Sequence, residues 1–171
     1  MLADTRREQH WRRSAASLAL AAAIVLAAAS PSASDPLETK PEAAALDPDY
    51  TAGKLALERK DWREAIERFG QAALRDPDNA DLQNYLGYSY RNVGRLDPAF
   101  KHYKRALELN PRHRGAHEYA GEAYLMVGDL ASAERHLAAL RAICLLPCEE
   151  LADLEGAIVA YRKKTGAGRS P

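Results

Sequence analysis

Cysteine is scarce: two residues in 171, too few for the disulfide-dense scaffold with which small secreted domains compensate for a thin core. Glycine is scarce as well, and ten residues exclude a collagen-like chain. Neither sign of charge is in surplus, because 24 Lys and Arg balance 24 Asp and Glu for a formal net charge of +0. Nucleic-acid binding draws on an excess of basic side chains on one face, so no nucleic-acid partner is expected. There is no glycine-rich phosphate loop, no G-x-S-x-G and no H-E-x-x-H, and with them go the sequence signals of nucleotide, hydrolase and zinc-protease chemistry. The expectation is a protein without catalytic residues, cofactor or metal. Apolar and charged side chains are plentiful, 47% and 28% of the chain, which excludes a wholly disordered protein. The length allows one ordinary domain and hardly a second.

Much of the apolar content is an alanine block near the start. Arg6, Arg7, Arg12 and Arg13 precede an uncharged stretch over 14–34, whose apolar heart, 15–29, is interrupted only by Ser17. A positive flank, a short apolar run and small residues in A-x-A-like spacing make a secretory signal peptide over 1–34. The competing reading is an uncleaved anchor, but a span needs about 20 mostly apolar residues. Arg12-Arg13 also hints at twin-arginine export. The expected location is therefore periplasmic or secreted, with no membrane span after cleavage. Without residues 1–34 the chain keeps 20 basic and 22 acidic side chains. Residues 35–45, with Pro36 and Pro41 and no apolar period, read as a linker, and 165–171 as a fraying tail.

The middle of the chain repeats every 34 residues. Gly53, Gly87 and Gly121 keep that step, as do Ala65, Ala99 and Ala133; Ala56, Tyr90 and Tyr124; and Phe69, Tyr103 and Leu137. Columns that agree without insertion or deletion define three units, 46–79, 80–113 and 114–147. In the second unit, QNYLGYSYRNVGRLDPAFKHYKRALELNP, the residues Leu86-Gly87, Tyr90, Gly94, Ala99, Tyr103, Ala106 and Pro111 carry a large-small alternation. At these residues the chain resembles the tetratricopeptide repeat (TPR) family, in its exported bacterial form. Lys60 replaces the glycine of the later units at 94 and 128, and the third unit loses its closing proline.

The resemblance implies an all-α fold: three helix-turn-helix repeats in a short right-handed superhelix. Small Gly87 and Ala99 allow the two helices of a unit to cross closely. Gly94 and Gly128 suit a left-handed residue ending the first helix, and Pro111 closes the unit. The exposed end of such an array needs a cap. Residues 149–164 supply one, with Leu151, Leu154, Ile158 and Tyr161 on a single apolar stripe and acids first, lysines last, in the sense the helix dipole favours.

Few residues propose chemistry. His113 and His117 are four apart, but the repeat register starts a helix between them, so they read as boundary histidines rather than ligands. Glu64, Glu67, Glu118 and Glu122 follow helical spacing and read as solvated or groove-facing acids. Cys144 and Cys148 occupy the junction before the cap. On a regular helix this spacing puts the Cα atoms about 6 Å apart, and with Pro147 breaking the helix the expectation is a structural disulfide. Thiol or metal handling by this pair is the alternative.

In the family the first helices line a concave groove that holds a segment of a protein partner. Carried over by register, that groove consists of Tyr50, Lys54 and Leu57; Asn84, Tyr85, Tyr88, Arg91 and Asn92; and Glu118, Tyr119, Glu122 and Leu125. Aromatic area with hydrogen-bonding ends resembles a peptide-recognition surface. Tyr85 and Tyr119 read equally well as inter-repeat packing. The family's carboxylate-clamp activity is not carried over, because Tyr50 and Lys54 stand where its lysine-asparagine set belongs. The expected function is an exported, non-catalytic adaptor for a protein or peptide in the cell envelope, with self-assembly into a homo-oligomer as a further alternative.

Overall fold

The computed structural model describes residues 47–166. The expected leader and linker, and the tail beyond Gly166, lie outside the described residues. Within them the chain is all-helical: α1 (Pro48–Glu58), α2 (Trp62–Arg75), α3 (Ala80–Asn92), α4 (Leu96–Leu109), α5 (Arg114–Met126), α6 (Leu130–Ile143) and α7 (Glu149–Thr165). No helix among the described residues is long and apolar enough to cross a membrane.

The 34-residue step of the sequence is a step in structure. α2, α4 and α6 begin at Trp62, Leu96 and Leu130 and end at Arg75, Leu109 and Ile143. Polar caps set most of the starts. The side chains of Asp47, Asp61, Asn79, His113 and Asp129 each accept from a free backbone N–H in the first turn, satisfying a donor the helix itself leaves unpaired. The turns inside the hairpins are equivalent too. Gly94 and Gly128 adopt φ of +77° and +84°, and Lys60 takes the same left-handed conformation at +57°. The N–H groups of Asp61, Arg95 and Asp129 each close onto a carbonyl five residues back at 2.9 Å, the bond that seals a helix ending in a left-handed residue. The geometry is therefore fixed by the turn, and Lys60 accepts a conformation that costs a side chain roughly 1 kcal/mol.

Neighbouring helices pack in chain order, and the contacts inside each hairpin explain the small residues. A Cβ on Gly53 would stand 2.7 Å from the Phe69 ring, and one on Gly87 2.5 Å from the Tyr103 ring. The close neighbour of Gly87 is thus an aromatic ring, and both rings are fully buried. The third unit departs from this pattern. At the corresponding place it has Leu137, and a Cβ on Gly121 would instead meet Leu154 of α7, at 2.6 Å. α7 packs on α5 and α6 together, burying Leu154 and Ile158 with Ala133, Leu137 and Leu140. Ion pairs tie it at the surface: Arg141 with Glu155, Arg162 with Glu134 at 2.6 Å, and Arg114 with Glu150 at 3.4 Å.

The junction before α7 differs from the sequence expectation in one respect. Cys144 and Cys148 are joined, with Cα atoms 6.1 Å apart. The helix does not run on to Pro147: α6 stops at Ile143, where α2 and α4 stop in register, and Cys144 is already extended. The bridge closes a loop between two helices instead of spanning a helical turn.

Candidate functional site on the inner face

The first helices of the three hairpins share one face, and α7 flanks it. At its N-terminal end the face is a packing cluster. Tyr85 stacks on Phe69 at 5.0 Å between ring centroids, and Tyr50 meets both rings edge-on at 6.0 Å. Lys54 Nζ donates to the Tyr85 hydroxyl at 2.9 Å. Burial pushes the Tyr50 hydroxyl up to about 12, so it stays neutral.

In the middle, Tyr88 lies between Trp62, at 5.7 Å, and Tyr119, at 4.7 Å. The Arg91 guanidinium sits 5.2 Å from the Tyr88 ring and 5.4 Å from the Tyr119 ring, and it is ion-paired with Glu122. Only 13% of that arginine side chain is exposed. Sequence register reads Arg91 and Glu122 as free groove groups, but the structure pairs them with each other, so both are largely used in joining the second unit to the third. Asn92 is exposed, and its amide bends back to donate to the Tyr88 carbonyl at 2.9 Å. Leu57 and Leu125 pack into the apolar clusters on either side.

The C-terminal part of the face opens into a cleft of about 490 Å³ between α3, α5 and α7. Asn84 and Glu118 line it, with Tyr85 and Tyr119 beside them. Both polar residues are buried, at 4% and 8% exposure, so of the two readings of Glu118, solvated or groove-facing, it is the groove-facing one that describes it. Burial, then the charges of Glu122, Asp153 and Glu150, push its carboxyl up to about 8. Five of the lining residues are acids that sequence reasoning did not bring together: Asp81, Glu118, Glu149, Glu150 and Asp153. The signal was the spacing of Glu149, Glu150 and Asp153 on one side of α7. In the sequence Glu149 and Glu150 read as a helix-dipole pattern, because nothing there says that α7 leans onto α5.

The histidines divide into separate roles. His113 caps α5 by accepting from the Ala116 N–H at Nδ1, 3.1 Å, which leaves Nε2 to donate to Asp81 at 3.0 Å. That bond holds the Asp81 carboxyl below the ordinary carboxylate range. His117 instead faces His136, Nδ1 to Nδ1 at 3.0 Å, where burial lowers both rings, His136 to about 4. The pair 113 and 117 does not converge on one point, and no group of three ligating side chains is arranged for a metal among the described residues.

A family profile described as tetratricopeptide repeat matches residues 50–109 and again 86–144, together more than half of the chain. The chain belongs to the tetratricopeptide repeat family. It is 27% identical over 105 residues to the TPR repeat-containing thioredoxin TTL4 of Arabidopsis thaliana, covering 61% of this chain and 14% of that protein. To Superkiller protein 3 of Saccharomyces cerevisiae it is 28% identical over 82 residues, covering 48% and 6%. The chain therefore spans only a small part of the length of these relatives. Among solved structures, the Sgt2 TPR domain from Aspergillus fumigatus matches with a TM-score of 0.63 at 20% identity, covering 77% of this chain and 85% of that one. The first TPR of Spaghetti (RPAP3), bound to the HSP90 peptide SRMEEVD, matches with a TM-score of 0.56 at 19% identity, covering 63% and 86%. At such identity the likeness is one of fold: an all-α TPR superhelix.

Proposed function

We propose that this TPR protein is a non-catalytic adaptor, exported to the cell envelope, whose inner face holds a segment of a protein partner. The observation that carries this reading is the cleft between α3, α5 and α7. Its volume, about 490 Å³, lies within the range of ligand pockets, and its walls combine tyrosine rings with buried polar groups. Rigid aromatic area beside a few placed polar atoms is what protein recognition uses. The solved TPR of Spaghetti, which holds a peptide, supports the same use of this fold. The N-terminal leader argues for export, and a bridge between Cys144 and Cys148 suits an oxidising compartment.

The test is capture from an envelope extract on the immobilised protein. Tyr88→Ala is expected to weaken capture about tenfold or more, as for a buried interface aromatic. Lys101→Ala and Arg135→Ala, both on second helices of their hairpins, are expected to be silent. Capture lost in the two controls and kept in Tyr88→Ala would place the partner on the outer surface. Capture of nothing but further copies of this chain would replace the adaptor by self-assembly.

A further inference from the structure

Resting on that reading of the inner face, we propose that the cleft between α3, α5 and α7 seats an arginine or lysine side chain of the bound segment, with the Glu118 carboxylate as its counter-charge. Five carboxylates line this cleft against two arginines and one histidine, and the paired ones can be set aside. Asp81 is hydrogen-bonded by His113 at 3.0 Å and Glu150 is paired with Arg114 at 3.4 Å. Glu118 is more than nine-tenths buried, yet among the described residues no hydrogen bond or ion pair reaches its carboxylate. Asn84, beside it in the lining, is 4% exposed, and its side-chain oxygen is buried without a hydrogen-bond partner. Gly115 leaves that amide its room, since a Cβ there would stand 3.2 Å from the Asn84 nitrogen. Buried acceptors without donors are expensive. Glu118 thus holds its carboxylate at the cleft without a donor from the protein among the described residues, and a donor that carries positive charge would answer it.

The protein contains a template for what is missing. One turn further along the same two helices, Arg91 lies between the Tyr88 and Tyr119 rings and meets the Glu122 carboxylate. Glu118 has tyrosines beside it, Tyr85 and Tyr119, but no arginine of its own. A planar guanidinium from outside fits this setting by stacking on a ring and donating to the Glu118 carboxylate. A divalent cation is disfavoured because the acids do not converge as ligands among the described residues. An acidic segment such as the SRMEEVD held by the Spaghetti TPR would meet like charge here.

The elements around Glu118 set the pH dependence. Arg91 of α3 favours its ionised form, whereas Glu122 on its own helix and Glu150 and Asp153 of α7 oppose it, as does burial. Asp81, His113, Arg112, Arg114 and Glu149 complete the charged lining. Bringing a cation in expels the Glu118 proton, so affinity rises with pH. An arginine ligand keeps its charge throughout.

The experiment pans phage-displayed random dodecapeptides on the purified protein. A recovered peptide and its Arg→Gln counterpart are then measured by fluorescence anisotropy. Basic residues at a fixed place are expected in the recovered peptides, with tenfold or greater loss in the Gln counterpart. Affinity should gain about tenfold from pH 7 to pH 9, as the ionised fraction of a group titrating near 8 rises. Glu118→Gln, which keeps the shape of the protonated side chain, should flatten that profile and cost about tenfold at pH 9, and Asp153→Asn should weaken binding less. Peptides without a basic residue that bind wild type and lose affinity in Tyr88→Ala would overturn the cation site and leave the inner-face reading standing. Basic peptides indifferent to Glu118→Gln and Asp153→Asn would overturn it as mere surface attraction. Spermidine displacing the peptide at equal concentration would point to a free amine instead. Recovery of no peptide, or of peptides that ignore Tyr88→Ala as well, counts against both readings.

Discussion

A methyl group at position 87 has no space to occupy. The nearest ring atom of Tyr103 is 2.5 Å from where it would sit, and that ring is 1% exposed with no room to retreat. Gly87→Ala should therefore lower stability by about 1–3 kcal/mol, the usual cost of overpacking, seen as a drop in urea midpoint at unchanged slope. Glu118 costs stability for an electrostatic reason, and the sign follows from its proton. In the unfolded chain the carboxyl ionises near 4.5, in the folded chain near 8. Between these values the folded state holds the extra proton, so stability falls as pH rises through the window and the loss is complete above it. Glu118→Gln has no proton to lose. It should match wild type in thermal melts at pH 4.5 and exceed it at pH 8.5 by on the order of 1 kcal/mol, reduced by water at the cleft mouth.

Helix α7 does two jobs that its own periodicity shows only in part. The stripe of Leu151, Leu154, Ile158 and Tyr161 marks it as a cap, and Leu154 and Ile158 are indeed buried. The second job appears only in the packing: Leu154 lies on Gly121, where the earlier hairpins use Phe69 and Tyr103 from their own second helices. A leucine at 137 is shorter than a ring, and the cap leans inward to fill the gap. Leu154, 0% exposed, should consequently cost about 2–5 kcal/mol when cut to alanine, as for a buried leucine that leaves a cavity. The bridge between Cys144 and Cys148 closes so short a loop that the chain-entropy relation gives it about 2 kcal/mol. The double change Cys144→Ser with Cys148→Ser should destabilise less than Leu154→Ala in parallel denaturant melts. An equal or larger loss on removing the bridge would mean that the loop, not the apolar stripe, holds α7.

For the whole molecule, the proposed export has its own measurement. Intact mass of protein taken from the envelope should place the mature N-terminus between Ser30 and Asp35; retention of Met1 or Leu2 would make the leader an anchor. The hairpins themselves were legible in the sequence because each is local. A 34-residue column of small and large residues sets which helix faces meet, and polar caps and left-handed turns set where the helices start and stop. Even Lys60, the wrong residue for its turn, takes the conformation of Gly94 and Gly128, since the flanking helices dictate it. The groove was legible only as a list of positions. Register placed Tyr88, Arg91 and Glu122 on one face, but whether Arg91 was free or tied to Glu122 depended on how two helices 31 residues apart in sequence come together. Of the cleft, register gave Asn84, Tyr85, Glu118 and Tyr119 but not the acids of α7 that close it. It needs Asn84, Glu118 and Asp153 from three helices, and its depth comes from the lean of α7 onto α5. Repeat, hairpins and the need for a cap follow from local sterics and periodicity, so the order of the amino acids suffices for them. Which polar groups end up buried without partners is settled in three dimensions, because burial is a property of neighbours that lie far apart along the chain.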